Sequence, residues 1–135
     1  MKTKFLGHSA NDLFWFILPL VLPSLLVRYN LNFTQAGSII TMYLLFTAVG
    51  SFIIGKLSDR VSRKNILSFG FFISAAGLIL SSFAPGLALF LVFISITALG
   101  MSSFHPVMYA LIDESYSGIS KNRIMGYYEF FGTAA

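Results

Sequence analysis

The longest stretch of this chain without a charged residue, residues 65–112, limits its folding more than any other feature. It lies between Lys64 and Asp113 and holds 48 residues. As one helix it would be about 72 Å long at ~1.5 Å per residue, more than twice the roughly 30 Å of a bilayer core. The stretch must therefore turn back once, and Pro85-Gly86 favours a turn. We predict two membrane-spanning helices here, near 65–83 and 87–110.

Two shorter uncharged runs, residues 13–27 and 29–55, predict two more spanning helices. The first run alone would reach only about 22 Å, which is too short to cross comfortably. Extending its helix to about 9–28 restores the span, although this places Asp12 within it. The second helix is predicted at about 34–55, because a polar lead-in precedes it.

The tail of the chain, residues 123–135, resembles the first half of a further helix that stops within the membrane. Polar backbone ends are not tolerated in hydrocarbon, so we expect the protein to continue beyond Ala135. The alternative is a complete small four-helix membrane protein that oligomerises or assembles with a partner. In that case the small residues at fourfold spacing would be subunit contacts. These are Thr47, Ser51 and Gly55 on the second helix, and Gly70 and Ser74 on the third.

The small share of charged residues argues against a water-soluble enzyme. Only 10% of the residues are charged and 56% are hydrophobic, whereas soluble domains carry about 25% charged residues. The chain has no Cys and therefore no disulfide or thiolate nucleophile. It also has no glycine-rich phosphate loop and no nucleophile elbow. We therefore predict an all-α protein embedded in membrane lipid, not an enzyme and without a cofactor.

Lys and Arg residues are unevenly distributed between the two ends of the predicted helices. Short cytoplasmic loops of membrane proteins are enriched in these residues. With the N-terminus in the cytoplasm, eight of the nine basic residues lie inside and only Arg28 lies outside. The positive charge therefore indicates membrane orientation, and we predict no nucleic-acid partner. The inner residues are Lys2, Lys4, Lys56, Arg60, Arg63, Lys64, Lys121 and Arg123.

The loop between the second and third predicted helices, residues 55–64, carries the strongest chemical signal. It places one carboxylate, Asp59, among four cations. Asp59 can pair with Arg60 or Arg63, or can face the positive N-terminal end of another helix. Gly55 permits close packing where the second helix ends. On charge count alone, a loop that only fixes the membrane orientation is the favoured interpretation.

The order of residues in this loop changes that interpretation. Gly55-Lys56-Leu57-Ser58-Asp59-Arg60-Val61-Ser62-Arg63-Lys64 closely resembles the cytoplasmic signature of the major facilitator superfamily, G-x-L-A-D-R-x-G-R-K, and Leu67 fills its final leucine position. The departures are Ser58 for Ala and Ser62 for Gly. The resemblance implies about twelve helices in two six-helix halves, built from three-helix repeats. Residues 1–135 would then be an incomplete N-terminal half, with helices one to four and part of the fifth.

The same resemblance implies a mechanical role for the loop. In the family the loop acts as a conformational latch, whose aspartate engages a helix end in the opposite half. Asp59 would be that aspartate, and Arg63 would pair with an acid at the inner end of the fourth helix, either Asp113 or Glu114. The other motif residues of the latch would be Gly55, Leu57, Arg60 and Lys64.

A narrower resemblance concerns the first and fourth helices. His8, Asn11-Asp12, the prolines Pro19 and Pro23, and Ser102-Ser103-Phe104-His105-Pro106 are similar to elements of the fosmidomycin-resistance branch of that superfamily. The resemblance implies proton-driven efflux of small, drug-like or toxic compounds, and hence antibiotic resistance. Such a protein would lie in the plasma membrane of a bacterium or archaeon.

Two ionisable groups near the start of the first helix are candidates for proton coupling. A proton-coupled carrier needs a buried titratable group, which Asp12 supplies if it faces a cavity. His8 lies one helical turn before Asp12, so the two can share a face and a proton. The structural alternative places Asp12 as a cap at the membrane interface and His8 among the headgroups. Asn11, His105 and Glu129 complete the candidates for the path of protons and small-molecule substrate.

His105 and Glu129 are candidates for different reasons. His105 precedes Pro106, whose ring and missing N–H predict a kink that exposes backbone groups to a cavity. A His105 that bonds a nearby carbonyl is the structural alternative. Glu129 is an acid within an apolar segment, where acids are commonly functional. The spacing of the two histidines is not typical of a metal site, so we predict no metal.

Overall fold

The computed structural model describes the backbone of residues 2–133 and the side chains within it, except those of residues 2–6, 131 and 133. All regular elements of this described range are helices, which confirms the all-α prediction. They are α1 (Lys2–Tyr29), α2 (Phe33–Leu57), α3 (Arg63–Ser82), α4 (Leu87–Met101), α5 (Phe104–Ser115) and α6 (Gly118–Thr133).

Four stretches of the described chain are long and apolar enough to cross a membrane. They are Gly7–Tyr29, Phe33–Leu57, Arg63–Ser82 and Leu87–Ser115, the last of which combines α4 and α5. Large apolar side chains are exposed along them, including Leu20 at 79% and Phe72 at 71% exposure. A surface of this kind is stable against lipid and not against water.

The helix boundaries differ from the predicted ones in three places. α1 begins at Lys2, not near residue 9, because a helix can continue beyond the hydrocarbon core. The fourth span continues to Ser115 and is interrupted at Ser102-Ser103. α6 begins at Gly118, which adopts a positive φ of 56° that favours glycine.

The polar lead-in before α2 has a local cause. The Asn32 side chain accepts a hydrogen bond from the Gln35 backbone N–H at 2.9 Å. The Gln35 side chain in turn accepts one from the Asn32 backbone N–H at 2.9 Å. This reciprocal capping box satisfies two of the free N–H groups at the helix start. The polar residues Asn32 and Gln35 therefore cap the start of α2.

α3 and α4 pack through small residues. A Cβ atom added at Gly77 would lie 2.7 Å from the Thr97 backbone nitrogen. One added at Gly100 would lie 2.7 Å from the Gly70 carbonyl oxygen. The Ser74 hydroxyl donates to the Gly70 carbonyl at 2.9 Å and also approaches that of Thr97. Small residues permit this close backbone approach, which replaces hydrophobic burial as the source of helix association in lipid.

The interruption between α4 and α5 follows from Pro106. Proline has no N–H for the carbonyl of Ser102, four residues earlier, and its ring clashes with that carbonyl. The Ser102 carbonyl instead accepts a hydrogen bond from the Ser51 hydroxyl of α2 at 3.0 Å. A neighbouring span thus satisfies the backbone group that the proline leaves free.

The close approach of α2 to this break lies at Gly50, not at Gly55. The Ser102 side chain occupies the space that a Cβ atom at Gly50 would need. A Cβ atom at Gly55 would lie 3.9 Å from Pro106, an ordinary van der Waals distance. Within the described chain α2 therefore approaches the break most closely at Gly50, and close packing at Gly55 stays a prediction.

Candidate functional site

Three helices bring ionisable side chains together near the start of α1. His8 and Asp12 are four residues apart and lie on one face of that helix. α5 contributes His105, and α6 packs against α1 and contributes Tyr128. We call His8, Asp12 and His105 the His–Asp cluster.

Both histidines of the His–Asp cluster face the same carboxylate. His8 Nε2 lies 3.4 Å from Asp12 Oδ2, and His105 Nε2 lies 3.7 Å from Asp12 Oδ1. The His8 and His105 ring centroids are 5.1 Å apart, with the ring planes at 82°. His8 is only 2% exposed. Ionisable groups at membrane depth are costly unless they pair, and this geometry allows the three to share charge.

The protonation of His8 follows from its second contact. Its Nδ1 lies 2.6 Å from the backbone carbonyl oxygen of Tyr128. A carbonyl oxygen can only accept, so Nδ1 donates and Nε2 of the neutral ring has a free lone pair. That lone pair faces Asp12, which is also an acceptor. One proton between Nε2 and Oδ2 turns the contact of two acceptors into a hydrogen bond.

His105 is held by two side chains. The amide nitrogen of Asn11 lies 3.4 Å from its Nε2, and the Tyr128 hydroxyl lies 3.4 Å from its Nδ1. Because the Asn11 amide donates, Nε2 accepts and Nδ1 donates to the tyrosine oxygen. Asn11 also donates to Asp12 Oδ1 at 3.5 Å. Asn11 thereby links the aspartate and the second histidine.

A pocket of about 260 Å³ opens beside the His–Asp cluster. Glu129 lines it, and the Glu129 carboxylate accepts a hydrogen bond from the Tyr109 hydroxyl at 2.8 Å. Trp15 also lines the pocket, and its buried indole N–H has no hydrogen-bond partner among the described residues. The pocket thus combines two carboxylates with aromatic and imidazole side chains.

The fold brings together a set of metal-ligating atoms that sequence spacing does not show. One ligand atom from each of His8, Asp12 and His105 lies within 4.8 Å of the others. Two histidines and a carboxylate can hold a transition-metal ion. The Asn11 amide, however, directs its N–H at His105 Nε2 and Asp12 Oδ1, and an N–H group in that position opposes a cation. The absence of a metal remains a prediction.

The loop at residues 55–64 connects α2 to α3 and forms one of the expected ion pairs. The Arg63 guanidinium donates to the Glu114 carboxylate at the end of α5. The second acid considered, Asp113, instead pairs with Lys121 of α6. The loop is therefore tied to the end of the fourth span through Glu114.

Asp59 makes no ion pair with any described residue, and local pairing with Arg60 or Arg63 is not formed. The Asp59 side chain is exposed. Ser58 closes the preceding helix, donating its hydroxyl to the Gly55 carbonyl at 2.8 Å. Gly55 is partly buried, while Leu57, Arg60 and Lys64 are exposed. The loop thus presents an exposed carboxylate that forms no ion pair within the described chain.

Sequence reasoning missed two residues of the site. Tyr128 is 1% exposed and contacts both histidines. Gly132 lies one turn later, and a Cβ atom there would lie 2.7 Å from Asp12 Oδ2. The only signal for them was their fourfold spacing on α6, which is typical of a helix-packing face.

Antiparallel apolar helices, a broken fourth span and an ionisable cluster between helices define a multi-pass integral membrane protein. The family model of the Major Facilitator Superfamily matches residues 5–135. The chain belongs to the major facilitator superfamily.

Three relatives illustrate the breadth of the similarity. YwoD of Bacillus subtilis (strain 168), named as an MFS-type transporter, is 31% identical over 78% of this chain and 24% of its own length. Synaptic vesicle glycoprotein 2B of Rattus norvegicus is 30% identical over 83% of this chain and 16% of its own. NiaP of Bacillus subtilis (strain 168), named as a putative niacin/nicotinamide transporter, is 26% identical over 85% and 29%. The chain thus spans less than a third of each relative.

Proposed function

We propose that this protein is a secondary active transporter that exports small molecules in exchange for protons. The observation that carries the proposal is the His–Asp cluster, in which two imidazoles face one carboxylate between three helices. A proton bound there removes the repulsion between acceptors, and its release restores it. Binding and release therefore change how α1, α5 and α6 contact one another. This is the property that a coupling site needs.

The domain organisation of this proposal follows the family resemblance. Residues 1–135 form the first three-helix repeat and the start of the second, within a half of six helices. The small share of each relative that the chain spans supports a longer protein. Substrate would bind near the bilayer midplane between two halves, which rock about it. We place the protein in a bacterial or archaeal plasma membrane, with a cytoplasmic N-terminus.

The loop at residues 55–64 is the conformational latch in this proposal. Asp59 is exposed and has no ion pair within the described chain, which leaves it available for a helix end of the opposite half. Arg63 and Glu114 join the loop to the end of α5, the helix that carries His105. A proton-dependent shift of α5 would therefore be transmitted to the latch.

The substrate is a small molecule, and two compounds are the first to test. Fosmidomycin follows from the resemblance of the first and fourth helices to the resistance branch. Nicotinamide follows from the name of one relative, the putative niacin/nicotinamide transporter NiaP. The pocket beside the cluster supports a polar compound, because the carboxylates of Asp12 and Glu129 line it.

The experiment uses the purified protein in liposomes loaded with a pH-sensitive dye. Fosmidomycin or nicotinamide is added under an imposed pH gradient, and the movement of compound and of protons is followed together. We expect one compound to move only while the gradient persists, with proton movement in the opposite direction. Protein-free liposomes are the control. Compound movement at the same rate with and without the pH gradient would contradict proton exchange. If neither compound moves, this substrate assignment is contradicted.

A further inference from the structure

We infer that Tyr128 positions both imidazoles of the His–Asp cluster so that their proton-accepting nitrogens face Asp12. The inference rests on the proposed function, because it explains how the coupling site is kept ready for a proton. It assigns a role to a residue of α6 that lies outside the cluster. Tyr128 acts through His8 and His105 and is therefore a positioning residue.

The first contact is between Tyr128 and His8. The Tyr128 backbone carbonyl lies 2.6 Å from His8 Nδ1 and accepts its N–H. The two rings are stacked, with centroids 3.9 Å apart and planes at 15°. The hydrogen bond fixes which nitrogen holds the proton, and the stacking fixes the plane of the ring. His8 Nε2 is thereby directed at Asp12 without a proton of its own.

The second contact is between the Tyr128 hydroxyl and His105. The hydroxyl oxygen lies 3.4 Å from His105 Nδ1, and Asn11 donates to His105 Nε2 at 3.4 Å. The hydroxyl therefore accepts from Nδ1–H, and Nε2 carries the lone pair. One buried tyrosine thus accepts from Nδ1 of both rings, once through its backbone and once through its side chain.

The other ionisable groups that face the cluster are engaged elsewhere. The Tyr109 hydroxyl of α5 donates to the Glu129 carboxylate of α6 at 2.8 Å. The Tyr109 ring lies 5.9 Å from that of His105 and 5.7 Å from that of Tyr128. Among the described residues, the Nδ1 contacts of both histidines are made by Tyr128.

The test is nitrogen NMR of the protein labelled with ¹⁵N-histidine in lipid bilayers. The shifts distinguish an imidazole nitrogen that holds a proton from one that does not. His8→Gln and His105→Gln assign the two signals. We expect the neutral form of both rings to hold its proton on Nδ1. A neutral form of either ring with the proton on Nε2 would overturn the inference, and this measurement needs no Tyr128 variant.

Tyr128→Phe separates the two contacts. It keeps the ring and the backbone carbonyl, so His8 should be unchanged, and it removes the hydroxyl, so His105 loses its acceptor. We expect the ratio of Nδ1–H to Nε2–H forms of neutral His105 to fall about fivefold, the size expected for one hydrogen bond of typical strength. Tyr127→Phe is the matched control, because Tyr127 is 52% exposed. An unchanged His105 in Tyr128→Phe, or an equal change in Tyr127→Phe, contradicts the inference.

The NMR experiment tests the positioning by Tyr128 and the liposome experiment tests proton exchange, so either hypothesis can fail without the other. Expected nitrogen signals in a protein that moves no protons would retain the positioning by Tyr128 and refute the proposed proton exchange. Proton exchange in a protein whose neutral histidines hold the proton on Nε2 would retain the proposed proton exchange and refute the positioning by Tyr128.

Discussion

Asp12 is a carboxylate at membrane depth whose neighbours can neutralise it only by sharing protons. In the described part of the chain, its ion-pair partners are His8 and His105, and neither Lys nor Arg contacts it. Asn11 contributes one long hydrogen bond of 3.5 Å. A lysine or arginine partner would keep the charge balance fixed at physiological pH, whereas histidine changes charge in that range. The cluster is therefore suited to binding a proton reversibly.

Asp12→Asn tests this chemistry at the level of one residue. An amide has nearly the shape of the carboxylate but cannot take up a proton, so we expect gradient-driven export in liposomes to fall to the protein-free background. Asp113→Asn makes the same chemical change at an exposed acid that pairs with Lys121, and should retain export. Undiminished proton-driven export by Asp12→Asn would show that coupling occurs elsewhere.

The sequence was enough to select His8, Asp12, Asn11 and His105 as candidates, but not to show their contacts. Helical periodicity alone places His8 and Asp12 on one face of α1. His105 lies 94 positions from Asn11, and Tyr128 lies 120 from His8. Contacts over such separations depend on how whole helices pack. The metal-ligand proximity of both histidines was missed for the same reason.

At the level of helices, the α3–α4 contact is the most restrictive part of the fold. At Gly70, Gly77 and Gly100 a backbone atom of the facing helix would lie 2.8, 2.7 and 2.6 Å from an added Cβ atom, and backbone cannot move aside as a flexible side chain can. Gly70, Gly77 and Gly100 are therefore required by space and not by their backbone angles. Helix association in lipid depends on this kind of packing, so the contact also contributes much of the stability.

Gly100→Ala tests the contact. The new methyl would lie 2.6 Å from the Ser74 backbone nitrogen and 2.7 Å from the Gly70 carbonyl oxygen, so the helices must separate. We expect a loss of about 1–3 kcal/mol, the usual cost of overpacking, seen as a lower unfolding temperature in detergent. Gly37→Ala is the control, because nothing lies within 4 Å of its added methyl. Equal stability of the two variants would contradict this account.

The existence of the four spans could be predicted from the sequence, whereas the exact helix ends could not. Uncharged length determines where a helix can cross lipid. It does not determine that α1 begins as early as Lys2. The kink expected from Pro106 occurs as a full interruption, because the serines before it bond to α2 and to α4.

At the level of the whole molecule, charge and helix direction are consistent with each other. The loop from α2 to α3 and the loop from α5 to α6 lie at the same end of an alternating series of spans as the N-terminus. Eight of the nine basic residues belong to this end. The turn between α3 and α4, at Pro85-Gly86, has none.

Cysteine labelling tests this orientation. The chain has no Cys of its own, so single cysteines can be placed by Gly86→Cys in the turn and Ser62→Cys in the loop. With a cytoplasmic N-terminus, a membrane-impermeant maleimide should label Gly86→Cys in intact cells and Ser62→Cys only after permeabilisation. The reverse pattern would invert the proposed orientation. Labelling of both in intact cells would exclude a single orientation.

The mass of the native polypeptide tests the proposed domain organisation. An antibody against residues 1–12 should detect a band roughly three times the size of this chain in source-cell membranes, as a twelve-helix protein requires. Mass spectrometry of that band is the control for antibody specificity. It should detect peptides from residues 1–135 together with peptides that this sequence does not contain. A band of 135 residues would instead favour the small four-helix protein that assembles with a partner.

The bond from Ser51 to the Ser102 carbonyl also bears on the order in which the protein is built. During synthesis α2 enters the bilayer before the fourth span, so the donor is already in place when the acceptor arrives. The interrupted segment would otherwise leave a bare carbonyl in hydrocarbon, at a cost of several kcal/mol. Because α2 precedes the fourth span in the chain, its Ser51 hydroxyl stabilises the interrupted segment as that span inserts. A permuted gene that places the fourth span first would lose that help during insertion.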